Sequence, residues 1–178
     1  MSDTPPRAVL DASVLIPRWS RGALRRLASA EPPRYQPIWS TAIVAEVWRV
    51  LTAQRLRQGD ALAVIATDAD AMWRWLDPVM TVVPAYGPPP GSPTSPLRDA
   101  RDEHPWNAAL HARATFVVSH NVRDFPPPTT LGTGARHVAH GIRFLTAIEF
   151  IEDVLGCDAA LLYGAPLPRA GVLRSHRS

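Results

Sequence analysis

The chain alternates between two hydrophobic patterns. Short apolar runs that suit buried strands are followed by stretches where apolar residues recur every three or four positions, as on one face of a helix. Ala8-Val9-Leu10 is the first run, and it ends in Asp11. Ala12 to Ile16 then begins a turn or helix, and Pro17 marks a break or a first-turn position. Leu24, Leu27 and Ala28 form the apolar side of a short helix that ends by Pro32-Pro33. Gln36 to Trp39 is predicted as a second strand, with Ser40 or Thr41 as N-cap of the next helix. In that helix Ile43, Val44, Val47, Trp48 and Leu51 make the stripe. Gly59 closes it, and Asp60 is predicted to cap another helix with Leu62, Ile65, Ala66, Ala69, Met72, Trp73 and Leu76 at helical spacing. Asp77-Pro78 stops this helix before a third strand, Val79 to Val83.

The second half repeats the theme. Pro84 to Pro96 is rich in proline and glycine, which predicts an extended loop without a core of its own. A helical pattern follows, with Trp106, Ala109, Leu110 and Arg113 in step, and then the apolar run Thr115 to Val118. That fourth strand breaks into Ser119-His120-Asn121, with Asp124-Phe125 just beyond. Pro126 to Arg136 is predicted as a loop, Gly141 to Leu145 as a fifth strand, and Thr146 as the cap of a final helix through Leu155. The arrangement predicts an α/β domain around a mostly parallel sheet, in an order that pattern alone does not set. One domain is expected over residues 1–165, with the proline-rich loop 84–98 inside it and a frayed Arg- and Ser-rich tail over residues 166–178.

Composition narrows the options. A chain of 178 residues that is 46% hydrophobic has enough apolar material for one sizeable core. No apolar run is long enough to span a membrane, and the N-terminus lacks a leader-like apolar segment, so a cytoplasmic protein is expected. Cys157 is the single cysteine, which excludes a disulfide framework and a four-cysteine zinc site. All 19 basic residues are arginines, and the net charge is +3. Arginine grips phosphate with two parallel donors. Arg18, Arg21, Arg25 and Arg26 cluster around Trp19, which makes a candidate surface for a polyanion such as a nucleic acid, with Trp19 as a base-stacking platform. The other tryptophans fall mostly on apolar faces and are assigned to the core.

Asp11, Glu46, Asp102 and Asp124 are the candidate catalytic acids. Each has an ordinary explanation. Asp11 suits a turn or cap, and Glu46 suits a half-solvated helix face beside Arg49. Asp102 suits the cap of a helix beginning at Glu103, with Pro105 tolerated in its first turn, and Asp124 suits a loop. Taken together, these acids fall at the ends of strands one and four and on helices beside the crossover loops. Carboxylates brought close repel, unless a cation neutralises them. Magnesium takes oxygen ligands and retains several waters, so a few carboxylates suffice. A bound water loses its proton more readily, and the ion also orients a phosphoryl oxygen. The pattern outlines a phosphodiester-hydrolysis site.

These pieces resemble the PIN-domain family, in particular its VapC-type toxins. The matching segments are LDASVLIP with Asp11, STAIVAE with Glu46, DARDEHPWNAALHARA with Asp102, and FVVSHNVRDFP with Asn121 and Asp124. GIRFLTAIEFIED resembles the closing strand and helix, so the likeness runs from about Val9 to Asp153. The resemblance implies a three-layer sandwich, a mostly parallel sheet with helices on both faces. It implies an Mg2+- or Mn2+-dependent nuclease, usually acting on RNA as an endoribonuclease, with Asp11, Glu46, Asp102 and the Asn121/Asp124 corner as the acidic site. Asp11, Asp102 and Asp124 are assigned to the metal, Asp124 in preference to Asn121 because a neutral amide cannot offset the ion's charge. Ser13 and Thr41 match small hydroxyl positions that support the site, and Asn121 is assigned to positioning a water or phosphate. It further implies an RNA substrate, an antitoxin partner and a homodimer. Two departures stand out: His104-Pro105 replaces an aliphatic position, and the proline-rich loop is long. The histidines, His104 and His120 among them, show no zinc-ligand pairing with cysteine, and His120 is assigned to a loop near the site.

The competing readings are weaker. A PIN-like module that binds RNA or protein without cutting would not need a full acid set. An aspartyl phosphatase would want a second Asp where Ser13 stands, and a receiver would want a lysine that the chain lacks. Asp11-Ala12-Ser13 offers no glycine-rich loop for a dinucleotide.

Overall fold

The computed structural model describes residues 4–84, 87–99, 103–131 and 134–158, with the backbone alone at 130, 131, 134 and 135. Asp102 and the tail 166–178 therefore lie outside the described residues.

The centre of the molecule is β1 (Arg7–Leu10), whose Ala8, Val9 and Leu10 are at most 2% exposed. A strand buried on both faces reads as a continuous apolar run, and that is why its pattern was plain. It pairs in parallel with β2 (Gln36–Ser40) on one side and β4 (Phe116–Val118) on the other. Outside these lie β3 (Thr81–Val83) and β7 (Ile142–Leu145), also parallel. β6 (Gly134–Ala139) and β5 (Thr129–Leu131) extend the β7 edge antiparallel, giving the order β3-β2-β1-β4-β7-β6-β5. The chain thus leaves β1 in one direction, adds two strands, and returns to the other side of β1. That reversal opens a crevice at the carboxyl ends of β1 and β4.

Helices cover both faces. Neighbouring residues of a strand point to opposite sides. Phe116 packs on Phe150 with ring centroids 5.6 Å apart. Phe144, which pairs with Val117, stacks on Trp106 at 6.4 Å and 19°. Trp106 belongs to α5 (Glu103–Ala112), so α5 and the C-terminal helical segment lie on opposite faces. Tyr35 meets Phe150 edge-on at 5.1 Å, and its hydroxyl donates to Leu24 O at 3.0 Å, which ties α2 (Arg18–Ala28) to the Phe150 side. A short α1 (Ala12–Leu15) precedes α2, while α3 (Thr41–Arg57) and α4 (Leu62–Leu76) follow β2.

Several expectations are corrected. Pro126 to Arg136 is not all loop, since β5 and β6 form a hairpin there. The described side chains of β6 are partly or fully exposed, so no apolar alternation marked it. Asp60 does not cap α4: Ala61 is the N-cap without a side-chain bond, and Asp60 pairs with Arg55. Leu62 is 65% exposed and lies off the buried stripe of Ile65, Ala69, Met72 and Leu76. Arg113 lies past α5 rather than in it, with φ of 50° and Ala114 N donating back to Ala109 O. Thr146 does cap the last helix, in a reciprocal bond set with Glu149, but after α6 (Ala147–Glu149) the backbone widens to a π-turn over Phe150–Val154. Apolar spacing cannot distinguish that wider turn from an α-helix.

Candidate metal centre

Asp11 stands one residue past β1, in the crevice between β1 and β4. Its N–H donates to Val118 O at 3.0 Å, which fixes its backbone to the neighbouring strand. Its carboxylate is the N-cap of α1 and is 9% exposed as a residue. Oδ2 accepts from the Ser13 hydroxyl at 2.7 Å, the Ser119 hydroxyl at 2.8 Å and the Ser13 N–H at 3.4 Å. The two hydroxyls lie 3.1 Å apart. Ser13 Oγ also accepts from His120 N–H at 2.8 Å, and Ser119 Oγ accepts from Asn121 N–H at 3.0 Å. One oxygen of Asp11 is thereby locked to the turn after β4, and Oδ1 is left turned toward α5.

Across the crevice are Glu46 on α3 and His104 in the first turn of α5. His104 Nε2 is 2.6 Å from Glu46 Oε2 and 3.9 Å from Asp11 Oδ1. Arg49 approaches the other Glu46 oxygen at 3.9 Å. The close contact with His104 holds the Glu46 carboxyl below its ordinary range, against burial, which acts the other way. Single donor atoms from Asp11, Glu46 and His104 all lie within 4.8 Å of one another. Two carboxylates and an imidazole form a donor set that fits a divalent cation.

Asp124 and Asn121 line the same cleft, a cavity of about 250 Å³ that Leu97, Phe125 and Phe144 wall with apolar surface. Asn121 donates its amide to Asp124 Oδ2, so the two act as one polar corner, anchored by buried Phe125. Leu97 comes from the proline-rich loop, which is also tied down by His111 bonding Gly87 O at 2.8 Å. Asp102, predicted for this site, lies outside the described residues. Of the residues expected to support the site, Ser13 and Asn121 line the cleft. Thr41 is exposed at the start of α3, and buried Ser40 is the cap, accepting from Ile43 N–H at 3.3 Å.

Sequence reasoning missed Ser119 and His104. Ser119 carried one usable signal, a hydroxyl directly after a strand that neighbours the strand ending in Asp11. His104 carried only its nearness to Asp102.

The predicted basic surface divides in two. Arg18 and Trp19 are exposed, and the Trp19 ring lies 4.9 Å from that of His120 at the cleft. Burial lowers the His120 pKa, partly offset by Asp11. Arg21 is turned inward, donating to Leu15 O at 2.7 Å and Ile16 O at 3.1 Å, where it closes the end of α1. Arg25 donates to Trp75 O at 2.6 Å and lies over the Trp75 ring at 4.6 Å, joining α2 to α4. Among the described residues no helix is long and apolar enough to cross a membrane.

The family model for the PIN domain matches residues 7–123, a span that holds Asp11, Glu46, His104, Ser119 and Asn121. No curated protein and no solved structure matches the chain.

Proposed function

Because the chain belongs to the PIN-domain family, we propose that it is a metal-dependent endoribonuclease and the toxin of a toxin–antitoxin pair. The observation that carries the nuclease reading is the Asp11 carboxylate, pinned by Ser13 and Ser119 at the sheet's reversal point and facing Glu46. The toxin reading, with its antitoxin partner and homodimer, rests on the ordered VapC-like motifs.

Asp11 and Glu46 are the residues that would hold the ion, with Asp102 and Asp124 as the further acids of the set. A bound Mg2+ or Mn2+ supplies Lewis acidity and an easily deprotonated water. The chain's own residues provide the rest. Ser13 and Ser119 fix the Asp11 carboxylate. The wall of Leu97, Phe125 and Phe144 limits water around the scissile phosphate. Arg18 pairs with the RNA backbone, and Trp19 stacks on a base. The test is cleavage of a single-stranded RNA with Mg2+ or Mn2+. Activity should vanish in excess chelator and return on adding metal, and full activity in chelator refutes the reading.

The polar corner has a division of labour. Asn121 is neutral and orients a water or phosphate, whereas Asp124 offsets cation charge. Asp124→Asn should weaken apparent metal affinity by about 10–100-fold if it acts through a metal-bound water. Asn121→Ala should lower turnover with metal affinity nearly intact. Metal titrations of RNA cleavage separate the two, and the opposite pattern would reverse the assignment.

The arginines should divide in the same way. Arg18→Ala should weaken RNA binding and reduce its salt slope by roughly 0.7, the contribution of one phosphate contact on a single strand. Its melting temperature should stay the same. Arg21→Ala should instead destabilise the fold by about 1–3 kcal/mol, because it leaves two carbonyls at the end of α1 without their charged donor. Filter binding at several salt concentrations, with thermal melts beside it, checks both. A stable Arg21→Ala with a lost salt contact would move that residue back to the RNA surface.

A further inference from the structure

We propose that His104 is a nitrogen ligand of the ion in this cleft, and that the centre therefore selects a first-row transition cation over Mg2+. The inference rests on the reading that the cleft holds a divalent ion, and it names the class of that ion.

Placement is the first argument. His104 sits in the first turn of α5, directly before Pro105 and Trp106, which are both buried. Its side chain is 17% exposed, and its buried Nε2 lies 2.6 Å from Glu46 Oε2 on α3 and 3.9 Å from Asp11 Oδ1 after β1, two carboxylates from separate elements.

Distance is the second. Two atoms bonded to one ion at about 2.1 Å can be up to about 4.2 Å apart. The separation of 3.9 Å between Nε2 and Asp11 Oδ1 falls inside that limit, and the three donors, all within 4.8 Å of one another, meet it after a closure of about 0.6 Å at most. The contact of 2.6 Å with Glu46 Oε2 needs only a small opening for both atoms to face the same point. Asp11 is prepared for this, since its hydrogen bonds from Ser13 and Ser119 all end on Oδ2.

Donor chemistry then gives the selectivity. Mg2+ is hard, prefers oxygen and releases its waters reluctantly. An imidazole donor adds affinity for divalent ions along the series that begins at Mn2+ and rises through Fe2+ and Co2+. A site of two carboxylates and one histidine therefore discriminates more strongly than an all-carboxylate site.

Mn2+ alone is the probe. Titrated into the full chain and read by pulsed electron paramagnetic resonance, bound Mn2+ should show a 14N coupling. In protein grown with 15N-histidine the coupling should become that of 15N, which requires no variant. His104→Gln should lose the coupling and bind Mn2+ at least 10-fold more weakly, with Mg2+ affinity changed much less. Bound Mn2+ without a histidine nitrogen coupling in the wild type overturns the proposal. So does a coupling that survives in His104→Gln, because the nitrogen then belongs to another residue. Metal-dependent RNA cleavage with no nitrogen coupling sinks this inference and leaves the nuclease reading standing. Nitrogen coupling without cleavage does the reverse, and failure of the wild type to bind Mn2+ overturns the proposal, while cleavage alone decides the nuclease reading.

Discussion

Asp11→Asn should abolish RNA cleavage, by at least ~100-fold, in a protein that remains folded. Both halves follow from the two oxygens of this side chain. Oδ2 accepts the Ser13 and Ser119 bonds and caps α1. Asparagine is as good an N-cap as aspartate, and its carbonyl can take the same bonds. The stability change should therefore stay within about 1 kcal/mol. Oδ1 is the oxygen turned toward His104 and Glu46. With an amide in its place the site loses one negative charge and one cation ligand. Disturbing a mere supporting partner of a metal ligand already costs about 10–100-fold, so losing a ligand should cost more. The measurement is the rate of RNA cleavage at saturating metal, beside a thermal melt of each protein. A folded variant that cuts at the wild-type rate would remove Asp11 from the chemistry.

The same residue shows which parts of this molecule can be read from sequence. Val9-Leu10-Asp11 was legible because a strand buried on both faces is apolar throughout, so its polar terminus stands out. Ile38, at most 4% exposed with Trp39, was legible for the same reason. The β5–β6 hairpin was not, because strands half in solvent have no burial pattern to display, and the prolines just before it and the glycines within it read as turns. The site was legible only as far as chain order carries it. Ser119 reaches Asp11 across the whole middle of the sequence, and nothing local to either residue announces the bond. His104 was obscured by its neighbour Asp102, the acid the family pattern points to, while the meeting with Glu46 depends on how α5 crosses the ends of β1 and β2. Arg21 and Arg25 lie one turn apart on one face of α2. Spacing could not say that this face meets α1 and α4, so two arginines that read as a binding surface turned out to hold helices together.

Metal binding should raise the melting temperature of the wild type by about 5–10 °C. The carboxylates of Asp11 and Glu46 converge only in the folded chain, since one follows β1 and the other lies on α3. An ion that binds this site has little affinity for the unfolded chain, where the same acids are far apart. Linkage then sets the size of the effect. At a free concentration ~100 times the dissociation constant, the gain is about 2.7 kcal/mol. In a domain of this size each kcal/mol moves the midpoint by about 2–4 °C. Relief of repulsion between the carboxylates is already contained in that binding energy and is not added again. Chelator should return the midpoint to its metal-free value, and Asp11→Asn should show a much smaller rise. Thermal melts with and without saturating Mn2+, run on both proteins, make the comparison. If the wild type cuts RNA in a metal-dependent way yet melts at the same temperature with and without the ion, then the ion binds with its substrate and not to the protein's own carboxylates.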